Sequence, residues 1–516
     1  MRMERQRKHR ATWQVVPATL LIFATFVLGA SSVELAQKDR SSQETNVEQD
    51  KKTLRLTLEE CIAIALENSH RRRVSRFAVE IAEAQHQQAL SSYWPIVKLE
   101  SAFSRMDEDL VNVTPARAVE SVNEAYVTLG PGGPDVSGPI YTRVRADVEE
   151  LTDTLRDRES IDTSLSLIYP LHTGGKRSAI VSKAGYGLEA AKENDRRTIL
   201  EVVYDVKRFY FGALLACQVR HIAEEMLARL EVTRDLTEAM YKEGSGMVKK
   251  TDYLRTEIIL NTTRAIVPLL KKNEQVAKAA LANTMGMEWE DCVELAEEEI
   301  RFAPCQVDLK QLIGDCYVFN PDVARLEAGL GAAQAGIREA RSGNRPTVAL
   351  FGSVNRIHNS YDYGIVNSQN EKSWVAGLSV QIPLFDGFLT TRKVVEARVR
   401  LLKLREEGVL LRKGLALQIK QIFLQMEAAK EQHQAVRNAL ASAEENRDLI
   451  TRAYHEGLME TREMIESQII EAFVKAQYQR TLYEHVEAQA HLEFVVGKGV
   501  SSALWDTSAV PLSSHE

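Results

Sequence analysis

Beyond its first 32 residues the chain has no stretch of about 18 apolar residues, which excludes a bilayer-spanning helix there. A soluble protein or a β-barrel remains. Basic residues are not in excess: 65 lysines and arginines face 72 acids, with no basic stripe, so a nucleic-acid binder is excluded. Glycine (27) and proline (13) are sparse and aromatics make up only 7%, as in a helix-rich chain. Cysteines number five, so they cannot all pair. Cys217 lies on an apolar helical stripe and reads as core, whereas Cys292 and Cys305 are close enough in sequence for a local disulfide. Catalytic constellations are also lacking. Gly329-Leu330-Gly331 has no third glycine, Gly246 to Thr251 matches a phosphate loop only at its end, and the eleven histidines are scattered as on a surface. No enzyme, metal or cofactor is expected.

What the chain has is a repeat. Tyr169-Pro170-Leu171 returns as Ile382-Pro383-Leu384, and Tyr241-Lys242-Glu243-Gly244 returns as Tyr454-His455-Glu456-Gly457, both 213 positions on. Asp252 and Gly286 return as Glu463 and Gly497 after 211, so the first copy has two extra residues beside Gly244. Asn68 with Pro95 is echoed by Asn320 with Pro346. One structural unit is built twice. The division expected is a signal peptide over 1–32, a flexible linker over 33–54, repeats over 55–287 and 308–498 separated by an acidic linker over 288–307, and a tail over 499–516. The first segment places Arg2 to Arg10 before an apolar run from Val15 to Leu28 and small residues, the order of a secretory signal.

Each repeat changes period in the same order. Leu56 to Ser91 and Leu309 to Ala340 read as helices, with Thr57 capping the first and Glu60 three residues on. Alternation of apolar and polar residues then predicts strands at Val97 to Phe103 and Ile161 to Tyr169, and at Val348 to Val354 and Trp374 to Ile382. The roughly 50 residues between the first pair, with Gly130-Pro131-Gly132-Gly133-Pro134, read as a long mobile or functional loop. Ile199, Val203, Val206, Tyr210, Ala213 and Cys217 form a heptad seam in a helix running to Gly244. At about 1.5 Å per residue such a helix is roughly 100 Å long. Return helices follow over Lys249 to Met285 and Glu460 to Val496, and Pro170 and Pro383 read as strand ends. Four alternating strands cannot close a barrel around a lumen, so several copies must share one.

These landmarks, in order and twice, resemble the TolC-like outer-membrane efflux protein family from about Leu56 to Gly497. The resemblance implies an α+β membrane protein whose duplicated long helices form a periplasmic α-barrel. Each protomer of a homotrimer would give four strands to a twelve-stranded outer-membrane β-barrel in outer-membrane lipid. Its function would be the exit duct of an efflux or type I secretion system, with a periplasmic adaptor and an inner-membrane transporter as partners and no nucleic acid. A soluble periplasmic coiled-coil adaptor or scaffold is the alternative. The resemblance further implies a constriction near the helical tips, for which Glu463, Glu466, Asp252, Tyr454 and Tyr241 are the candidates, and adaptor contacts at the turns of Gly244, Gly246 and Gly457. A spacing of three puts both glutamates on one helix face. Met459 stands where the family example has a basic residue, with Arg452 and Arg462 nearby.

Overall fold

The computed structural model describes residues 54–126, 139–156, 158–244, 248–288, 293–303, 308–359 and 371–498. All lie in one compact unit, Thr53–Glu516. The expected signal segment, most of the linker, the Gly130–Pro134 stretch, Gly246, Cys292, Cys305 and the tail lie outside the described residues.

The first repeat begins with strand β1 (Leu54–Leu56) and helices α1 (Leu58–Asn68) and α2 (His70–Ser91). Thr57 caps α1 as expected, its Oγ1 accepting from Glu60 N at 3.3 Å while Glu60 Oε2 accepts from Thr57 N at 2.8 Å. The single helix expected from Leu56 to Ser91 is instead two, broken at Ser69, whose ψ of 123° is not helical. The second repeat breaks at the matching place. Helix α5 (Leu309–Phe319) ends at Asn320, whose side chain caps α6 (Pro321–Arg341) by accepting from Asp322 N at 2.8 Å. Pro321 at the first helical position needs no N–H donor there. Landmark glycines close both breaks. Gly286 and Gly497 take left-handed angles (φ 74° and 86°), and a Cβ on Gly286 would lie 2.6 Å from the Asn68 carbonyl oxygen. On Gly497 it would overlap the Phe319 carbonyl. The repeated Asn and Gly landmarks are therefore two halves of one contact, 218 positions apart in the first repeat and 177 in the second.

Strands β2 (Ile96–Arg105), β7 (Glu159–Thr173), β9 (Thr347–Asn359) and β10 (Lys372–Gln381) form one antiparallel sheet in the order β10-β9-β7-β2. The β7–β9 pairing joins the repeats. Register places Leu99, Leu165, Val354 and Trp374 in one row, with Val97, Leu167, Gly352 and Ala376 in the next. The opposite face carries Glu100, Ser164, Asn355 and Ser373. Pro170 does not end its strand, in contrast to expectation. It lies within β7 beside a bulge at Leu171, beyond Ile168, the last residue paired to β2, where a missing donor breaks no ladder bond on that flank. Pro383 does follow its strand.

The long loop expected after β2 is also corrected. It contains β3 (Leu110–Thr114), β4 (Arg117–Tyr126), β5 (Pro139–Val148) and β6 (Leu151–Arg156), paired β3–β6 and β4–β5, so the hairpin continues outward as a two-stranded ribbon. The acidic inter-repeat span holds β8 (Val293–Leu295), which pairs parallel with β1.

Two 67-residue helices, α3 (Lys176–Lys242) and α7 (Leu389–His455), leave the sheet, and α4 (Lys250–Thr284) and α8 (Thr461–Val496) return. At about 1.5 Å per residue the long ones reach roughly 100 Å. Their packing centres on two apolar clusters. In one, Leu58, Cys61 and Ala65 meet Val206, Tyr210, Leu281 and Val486. In the other, Leu312, Cys316 and Val323 meet Ile419, Ile422 and Leu492. Burial pushes the Cys61 thiol up to about 12 and Cys316 to about 11, so both are inert core groups. Of the expected seam, Val206, Tyr210 and Ala213 are buried, whereas Cys217 is only half-buried.

Candidate functional site: the helical tips and the seam above them

Each long helix turns at a left-handed glycine, Gly244 (φ 70°) and Gly457 (φ 73°), as the sequence requires. The second turn is closed by Leu458 N donating to the Ala453 carbonyl at 2.9 Å.

Around these turns the paired candidates part company. Tyr454 is 2% exposed, and its hydroxyl lies 2.9 Å from Thr237 Oγ1 on α3 and 3.1 Å from Thr461 Oγ1 on α8. One phenol therefore ties three helices. Tyr241 is 40% exposed and stacks on Tyr253, with ring centroids 6.4 Å apart. The first tip thus has an aromatic stack where the second has a hydrogen-bonded lock. Asp252 accepts from Lys249 N at 3.0 Å and so starts α4 as a cap. Glu463 occupies the first turn of α8, where the helix dipole favours an acid, and is half-buried; Glu466, one turn on, is exposed. Among the described residues no ion pair reaches Asp252, Glu463 or Glu466.

Sequence reading missed what lies above the tip. A polar seam continues from Tyr454 along the contact of α8 with α3. Gln468 Nε2 donates to Thr233 Oγ1 at 3.0 Å. Glu471, its side chain 3% exposed, accepts from Arg229 of α3 at 2.6 Å and from Arg447 of α7 at 3.0 Å. Lys475 meets Glu225 at 3.0 Å, and buried Lys207 meets Glu493 at 2.6 Å. The signal was present: Thr461, Gln468, Lys475 and Gln489 recur at multiples of seven on a helix whose core positions should be apolar. Such pairs fix register more than they stabilise.

Two histidines expected on the surface are buried. His433 (5% exposed) and His485 (2%) sandwich Phe302, with centroids at 4.1 and 4.5 Å. His433 Nδ1 lies 3.3 Å from Thr481 Oγ1, and His485 Nε2 lies 3.0 Å from the Ala303 carbonyl. Burial, reinforced by Arg437 at one ring and Lys430 at the other, lowers both pKa values below the ordinary 6.5. The unfolded chain then binds more protons than the folded one below that value, so stability falls as pH drops through it. Thermal melts from pH 7.5 to 5 should show a falling midpoint, with a flatter slope in His485→Gln. Equal slopes in both proteins would remove the histidines from the account.

No described helix is long and apolar enough to cross a membrane. The sheet differs: its aligned apolar row is open to solvent, with Trp374 77%, Val354 57% and Leu99 51% exposed. The strands at its two edges, β2 and β10, have no partner on their outer sides among the described residues.

Comparison with known proteins agrees with this geometry. The model of the family described as outer membrane efflux protein matches residues 61–287 and 312–498. Protein CyaE of Bordetella pertussis is 27% identical over 279 residues, 53% of this chain and 57% of that protein. Pyoverdine export outer membrane protein OpmQ of Pseudomonas aeruginosa is 27% identical over 207 residues, 39% of this chain and 43% of its own length. The matched region thus spans about half of these curated relatives. The outer membrane protein VceC of Vibrio cholerae shares the fold with a TM-score of 0.65 at 16% identity, over 86% of this chain and 97% of that one.

Proposed function

Since the chain belongs to the outer membrane efflux protein family, we propose that three copies form an outer-membrane exit duct that continues as a helical tunnel into the periplasm. The observation that carries this reading is the sheet: an exposed apolar face, a polar opposite face and two open edges. Apolar residues outward and polar residues inward is the pattern of a membrane barrel. The strand order also permits closure, because β2 and β10 run in opposite directions and an edge of one copy can pair antiparallel with the next. Three copies give twelve strands around a water-filled lumen. A soluble coiled-coil scaffold would leave Trp374 and its row in water without purpose.

Export needs no reacting group here; substrate passes down the tube. A periplasmic adaptor docks at the tips, where Leu458 is 72% exposed beside Gly457, and an inner-membrane transporter supplies the energy. The repeats over 55–287 and 308–498 build the wall. Glu463 and Glu466 from three copies make two stacked carboxylate rings at the constriction, and Tyr454 holds the tip closed against α3. Carboxylate rings at close quarters attract multivalent cations.

The test is conductance in planar bilayers. Wild-type protein should form channels blocked from the tip side by a trivalent cation. Replacing both glutamates, E463Q with E466Q, should weaken that block by roughly tenfold or more, since six carboxylates leave the narrowest part. Unchanged block would return both residues to an ordinary surface, and an absence of channels would remove the duct.

A further inference from the structure

The geometry points to an anion-binding site, for a phosphate or phosphodiester group, in a cavity at the junction of sheet and helices. The cavity has a volume of about 740 Å³ and opens between the ends of β7, β9 and β10 and the first turns of α3 and α7, with α6 between them. Volumes of roughly 300–1,000 Å³ are those of small-ligand sites.

Its charge is one-sided. Lys176, Lys183, Arg345, Lys393 and Arg400 line it, against Glu339 and Glu396. Lys183 meets Glu339 at 3.2 Å, and Arg400 meets Glu396 at 2.6 Å. Three cations are then left over: Lys176, Lys393 and Arg345. The Arg345 guanidinium donates to the Gly174 carbonyl at 3.2 Å, a neutral acceptor that leaves its charge uncompensated. Gly174 makes that approach possible, since a Cβ there would lie 2.5 Å from the Cβ of Arg345.

The helix starts add to the field. Both 67-residue helices begin at this level and neither has an acid in its first turn, although Asp386, just before α7, accepts from Thr390 N at 2.8 Å and Thr173 Oγ1 accepts from Arg177 N at 3.3 Å. Basic residues stand there instead, with Lys176 and Arg177 opening α3 and Arg392 and Lys393 following the start of α7. Cations at a helix start oppose the macrodipole; Asp386 offsets this at α7, and at α3 an anion between the two starts would do so. The Thr173 and Thr347 hydroxyls on the same wall can donate to its oxygens. Lys and Arg around hydroxyl donors suit a tetrahedral oxyanion better than a planar carboxylate alone.

Two sources could supply that group: a soluble phosphorylated or phosphate-bearing solute, or an anionic phospholipid headgroup. The lipid source rests on the export reading, which sets this junction at the periplasmic border of the outer membrane. Anion binding itself does not depend on that reading.

The test uses the full chain, purified in a nonionic detergent, with inorganic pyrophosphate and phosphatidylglycerol as separate probes. Calorimetry reads the first, and native mass spectrometry reads retention of the second against phosphatidylcholine. One probe should bind once per protomer and weaken with salt. The variant K176Q/K393Q/R345Q should weaken it by roughly tenfold or more, the three uncompensated charges having been removed. The control K413Q/K420Q/R437Q, altered at exposed positions farther along α7, should bind as wild type. Pyrophosphate binding without lipid retention assigns a soluble anion; the converse assigns a headgroup. Oligomeric state and helicity, measured on the same samples, separate lost folding from lost binding, and K393Q alone serves if the triple variant does not assemble. Binding of neither probe, or equal loss in both triple variants, overturns the site whether or not the protein conducts.

Discussion

Replacing Glu471 with alanine should destabilise the helical body by about 1.5–3 kcal/mol, the worth of hydrogen bonds to a buried charged group. The carboxylate is 3% exposed and receives Arg229 from α3 and Arg447 from α7, so one substitution removes a shared partner from two helices, leaving Arg229 with Glu225 at 3.4 Å and Arg447 with Asp448 at 2.6 Å. The partners can relieve part of this by turning toward water, since their side chains are 33% and 20% exposed. The effect should therefore fall at the low end of the range. E471Q, which keeps the shape and one of the two acceptor oxygens, should cost less. E466A, one turn toward the tip and exposed, should stay within about 0.5 kcal/mol. Hydrogen exchange of α8 amides reports these differences locally. Equal protection in E471A and E466A would mean that the triad does not hold the helices.

A second large effect is expected at the tip. Tyr454→Phe removes only the hydroxyl that binds Thr237 and Thr461, at 2.9 and 3.1 Å, and keeps the ring in its buried place. Two buried hydrogen bonds at about 0.5–1.5 kcal/mol each amount to roughly 1–3 kcal/mol per protomer. If only the closed tip makes them, the open fraction rises by roughly 5- to 150-fold per protomer. Single-channel recording should show longer and more frequent openings in Y454F and in T237V, and no further gain when the two are combined. Tyr241→Phe should do little, because that ring stacks on Tyr253 at the surface. Matching gains in Y454F and Y241F would place the lock elsewhere.

How much of this was legible depended on whether the signal was local. Thr57 with Glu60, the alternation in β2, β7, β9 and β10, and the glycines ending each long helix are local patterns, and the structure follows them. The breaks at Ser69 and Asn320 were legible in principle, since Asn320-Pro321 joins a cap to a first-turn proline. Apolar periodicity continued across both and hid them. Pairing of β1 with β8 joins three-residue segments about 240 positions apart, which no local pattern encodes. The ribbon of β3 to β6 was obscured by its charge and by the Gly-Pro cluster in its middle. The seam on α8 was the largest omission. Gln468 was legible as a polar residue in a heptad core position, whereas Glu471 and Glu493 read as solvent-facing and only the partners that α3 and α7 bring make them interior. Of the candidate site, Tyr454 entered through the resemblance, as the tyrosine of the repeated turn, while Thr237, its partner 217 positions away, carried no signal of its own.

The central claim is that the open edges β2 and β10 meet between copies. Within one chain two strands separate them, a spacing of roughly 14 Å at about 4.8 Å per step, too far for a disulfide. Cysteines scanned in a cysteine-free background at alternate positions from Lys98 to Ser104 on β2 and from Ser373 to Gln381 on β10 therefore report contact between chains. In isolated outer membranes, mild oxidation of one register should give covalent dimers and trimers and no higher species. A ladder that stays monomeric at every register, from protein recovered in the soluble fraction, would contradict the shared barrel and the duct built on it.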